Sequence, residues 1–106
     1  MSQNNFNKII LAAVEDGLSS LGDSPKQVII FHLETSFHIK KEQTPENLTE
    51  FTKALEGIFG PRASYLEKLI LKHLYGKLSL KFEEKSGNFL ECVDDVKKRL
   101  FLKEKV

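Results

Sequence analysis

Punctuation constrains this chain more than any other feature. Gly22, Ser24-Pro25, Thr44-Pro45 and Gly60-Pro61 cut it into stretches of helical length. Within each stretch the apolar residues recur three and four apart, the period of one helix face. A half-buried strand would alternate instead.

From Asn5 to Leu21, the side chains of Phe6, Ile9, Ile10, Ala13, Val14, Leu18 and Leu21 make one stripe, and Gly22 is the expected stop. Ser24-Pro25 predicts a second helix start. Serine accepts from the free amides of a first turn, and proline loses nothing at the first helical position. This helix carries Val28, Ile29, Ile30, Leu33 and Phe37 and ends near His38, with Ile39 to Gln43 as connector. Thr44-Pro45-Glu46 repeats the device, adding a carboxylate that suits the helix dipole. Leu48, Phe51, Ala54, Leu55, Ile58 and Phe59 form the third buried face, which Gly60 closes. Pro61 opens a fourth helix through about Leu78, striped by Leu66, Leu69, Ile70 and Leu74. Ser79 to Asn88 is a break, either a loop or a short extended piece, LSLKF. A last helix from about Asn88 to Lys103 is lined by Phe89, Cys92, Val93, Val96 and Leu100.

The expected fold is therefore all-α: a compact bundle of about five amphipathic helices. At 106 residues it forms a single helical domain, residues 1–106. Such a chain buries enough surface to need no disulfide or metal. The first four helices would form the bundle and the fifth would pack across it.

Charge and cysteine usage narrow the function classes. Sixteen basic against fifteen acidic residues leave +1, too little to draw in nucleic acid or a membrane by long-range field. The single cysteine, Cys92, can form no internal disulfide, so a reducing cytoplasm is the expected location. The start, MSQNNFNKII, has no secretory leader pattern. The apolar runs IILAAV and VIIF fall far short of the roughly 20 residues of a membrane span.

The stretch IFHLETSFHIKK, from Ile30 to Lys41, holds two histidines. A helical metal pair needs side chains three or four apart, whereas His32 and His38 are separated by about 120° of rotation. No HExxH motif occurs. His32 falls inside the apolar arc of the second helix and is expected as a partly buried core histidine with a hydrogen-bond partner. His73 falls between Leu69 and Ile70 on the fourth helix. The two could meet in the core and act as a pH-sensitive or ligand-sensing pair. Phe31 points away from the arc, which implies either a helix enclosed on most sides or a contact with a partner.

Other chemistry lacks support. Glu83-Glu84 and Asp94-Asp95 are adjacent rather than convergent, the pattern of solvated surface. EEKSGNFLE, Glu83 to Glu91, lacks the alternating oxygen ligands of a calcium loop. Cys92 sits on an inner stripe as a small core residue. No G-x-S-x-G, phosphate-binding loop or dinucleotide fingerprint occurs, so no enzyme, metal or cofactor is expected.

The C-terminal helix is the most informative surface. Lys97, Lys98, Arg99, Lys103 and Lys105 make it basic, and Leu90 and Phe101 lie off its main stripe. These two either widen the core contact or mark a partner-helix or dimer contact. Leu90, Lys97, Lys98 and Phe101 are thus the candidate partner-binding residues. Nucleic-acid binding through Lys97, Lys98, Arg99 and Lys103 is the alternative. The fourth helix is a poor recognition helix, since Pro61-Arg62-Ala63-Ser64-Tyr65 offers only Arg62 for base edges.

From Phe31 to Leu80 the chain resembles a small archaeal helical family, the fifth Nitrosopumilus-type output domain. The similarity lies in the FHLE start, the Phe-x-Ile-Lys connector, the Thr-Pro helix start, the ALEGIFG-Pro turn and the LEKLILKHLYGKL helix. Asn5 to Gln27 extends it weakly. The resemblance implies a signalling output domain, attached to sensors or standing alone, and supplies no catalytic residues. Glycine is common in the family where His38 stands, a departure that bears on the turn geometry there. Together these features predict a non-enzymatic module that docks an unidentified protein partner through a helix face.

Overall fold

The computed structural model describes residues 3–82 and 87–104, with side chains through Phe101. Among them are five α-helices and no strand. They are α1 (Gln3–Ser19), α2 (Asp23–Ser36), α3 (Leu48–Phe59), α4 (Ala63–Lys77) and α5 (Phe89–Glu104). Two 3₁₀ turns, Lys41–Glu46 and Gly60–Arg62, precede α3 and α4. The Glu83-Glu84 pair, Lys105 and the side chain of Lys103 lie outside the described residues.

The packing is centred on α1 and α4, which share the most extensive contact in the fold. Gly17 makes it possible. A Cβ at that position would fall 2.6 Å from Ile70 Cγ1 and 3.2 Å from Ile70 Cα. The missing side chain brings the two backbones together, and Phe6, Ile10, Val14 and Leu18 then close against Leu66, Ile70 and Leu74. Lys77 pairs with Asp16 at 2.7 Å across the same seam and holds its carboxyl below the usual range. The pair is half exposed, so it orients the seam more than it stabilises it.

On this pair α3 adds Phe51, Ala54 and Leu55, and α5 adds Phe89, Cys92, Val93 and Val96. The rings of Phe51 and Phe89 lie 6.4 Å apart where α3 meets α5. The fifth helix therefore shares fully in the core. The loosely held helix is α2, which buries only Ile29 and Leu33. Val28 is 55% exposed and Phe37 39% exposed, so the second apolar stripe is narrower than its sequence suggests.

Two helix starts differ from expectation. Gly22, with φ 102°, both ends α1 and caps α2. Its N–H donates to Ser19 (3.0 Å), and its carbonyl accepts from Lys26 N–H (3.1 Å). Ser24 and Pro25 consequently fall inside the first turn, where proline's missing N–H still costs nothing. Thr44-Pro45-Glu46 belongs to the first 3₁₀ turn rather than to α3. That turn packs on α1 with Thr44 only 1% exposed, and Lys41 anchors it to Glu15 at 2.8 Å. Burial thus outweighs the capping pattern, and α3 starts after Asn47, whose carbonyl accepts from Phe51 N–H (2.8 Å).

Residues 79–82, the described start of the break after α4, tuck inward. Ser79 takes φ 56°, and Leu80 N–H returns to the Tyr75 carbonyl at 2.9 Å. Phe82 then meets the Tyr75 ring edge-on, 5.2 Å between centroids. At the start of α5, Asn88 Oδ1 accepts from Glu91 N–H (2.9 Å), and Glu91 Oε1 accepts from Asn88 N–H (3.4 Å). This reciprocal cap occupies the Glu91 carboxylate.

His38, at the end of α2, adopts φ 57°, a left-handed cap that glycine usually fills.

Two stability changes follow. Gly17→Ala should destabilise the fold by about 1–3 kcal/mol, reversing the usual helix-propensity gain, because the α1–α4 seam must open. His38→Gly should stabilise it by up to about 1 kcal/mol through relief of the left-handed strain. Urea unfolding of both variants measures each sign.

Candidate functional site

The histidines do not form a site. His32 is exposed on α2, its ring 6.3 Å from that of Phe31, so the expectation of a core histidine fails. Its place in the apolar arc misleads because the buried arc of α2 is centred on Ile29 and Leu33 alone. His73 is half-buried and its Nε2 lies 3.4 Å from Ser20 Oγ at the α1–α2 junction. With His32 at the surface, the two imidazoles cannot meet in the core. Among the described residues, no three His, Cys, Asp or Glu side chains gather as a metal would require.

Cys92 is 1% exposed, and burial pushes its thiol pKa up. Its Sγ–H points to the Gly87 carbonyl at 3.7 Å, and its own carbonyl accepts from Tyr75 Oη–H at 3.4 Å. Burial likewise raises Tyr75 to about 12. Neither group is set up as a nucleophile, since both are held in the neutral form.

The four candidate contacts on α5 are largely engaged within the molecule. Leu90 is half-buried against the core. Phe101 is half-buried and meets Phe6 edge-on at 6.3 Å. Lys97 Nζ stands 6.0 Å above the Phe101 ring. Lys98 pairs with Asp94 at 2.9 Å and Arg99 with Asp95 at 3.1 Å, each one turn apart. These carboxylates neutralise the basic face locally.

A different surface gathers what α5 does not. Phe31 is 64% exposed and Val28 55%, on the outer side of α2. Beside Val28, a recess of about 310 Å³ opens between α2 and α3, lined by Ser24, Pro25, Val28, Ile29, Ile58 and Phe59. The recess is walled mainly by carbon. Phe31, one turn on from Val28, is not among the residues that line it.

Sequence periodicity placed Ile58 and Phe59 in the core and missed the recess. Its one signal was Phe31, set off the arc of its own helix. The physical reason is geometric. Helix α2 lies against its neighbours along a narrow line, and a two-sided apolar run on such a helix must leave one side in water.

No family model, curated protein or solved structure matches the chain.

The burial of Cys92 has a direct chemical readout. Its reaction with a small disulfide reagent at neutral pH should be at least about 100-fold slower in the native protein than in denaturant, because the thiol is reached only through opening. Absorbance of the released thiolate follows both rates.

Proposed function

We propose that the protein is a non-enzymatic interaction module. It acts by docking the outer face of α2 against an amphipathic helix of a protein partner. One observation carries this reading: Val28, more than half exposed, lines an apolar recess between α2 and α3, and Phe31 one turn on is also more than half exposed. A helix presenting aliphatic or aromatic anchors one turn apart matches such a face, with a ring or branched chain seated between Val28 and Phe59. The energetic reason is the transfer of apolar surface out of water, about 25 cal/mol for each Å² covered.

The archaeal output-domain resemblance gives this docking a context. A stand-alone output domain in the cytoplasm would pass a signal by occupying or releasing a partner helix. Nucleic acid is disfavoured as the partner, because Lys98 and Arg99 already have carboxylate partners on their own helix. Among the described residues no helix is long and apolar enough to cross a membrane.

The test places a photo-reactive phenylalanine analogue at residue 31 and, as control, at residue 65, since Tyr65 is also 64% exposed. Irradiation in extract of the native cell should give discrete protein adducts at residue 31. Adducts should be absent at residue 65 and lost when Val28→Lys is added. Equal labelling at both positions would show that exposure alone governs the reaction, and the proposal would fail.

A further inference from the structure

We draw no further inference here: the strongest candidate, the exposed apolar outer face of α2 around Val28 and Phe31, belongs to the docking surface already described, and nothing in the structure shows what covers it.

Discussion

The near contact of two backbones at Gly17 and Ile70 governs this fold. Because α1 and α4 approach that closely, their apolar faces interlock over several turns and leave a seam against which everything else is placed. The third and fifth helices complete the enclosure, and the loop after α4 folds Phe82 back onto Tyr75. The first 3₁₀ turn is held by the same seam, through Thr44 and the Lys41–Glu15 pair. A protein interior tolerates little free volume, so one absent side chain at the crossing sets the spacing of the whole core.

The sequence was legible where local chemistry and burial agree. The stripes of α1, α3, α4 and α5 gave their helices directly, because the residues that repeat every turn are those that reach the core. Asn88 began α5 as its side chain dictates. Legibility ended where a residue had two competing uses. Thr44 carries the signature of a helix cap, yet it is buried beneath α1 and the helix starts later. Serine before Pro25 carries the same signature, but Gly22 takes the capping position since its backbone can adopt φ 102°. Tertiary placement decided both cases, and no local pattern contains it.

The candidate surface was less legible than the fold, for a reason visible at α2. Periodicity reports that a residue is apolar and in phase; it does not report how wide the neighbouring groove is. Ile29 and Val28 look alike in sequence, yet one is 3% exposed and the other 55%. His32 was misjudged the same way, while Leu90 and Phe101 are half-buried at the shoulder of α5. Only Phe31 announced itself, because no arrangement of a single narrow contact line could bury both it and Leu33.

The slight anchorage of α2 has a thermodynamic consequence. An element held by Ile29 and Leu33 contributes little cooperativity, so its local opening lies at the cheap end of the stability range. A partner docked on its outer side, as proposed, would enclose the helix on both flanks and couple binding to structural order. Occupancy would then be felt as tightening of the entire domain, by linkage, even though the contact spans a single helix.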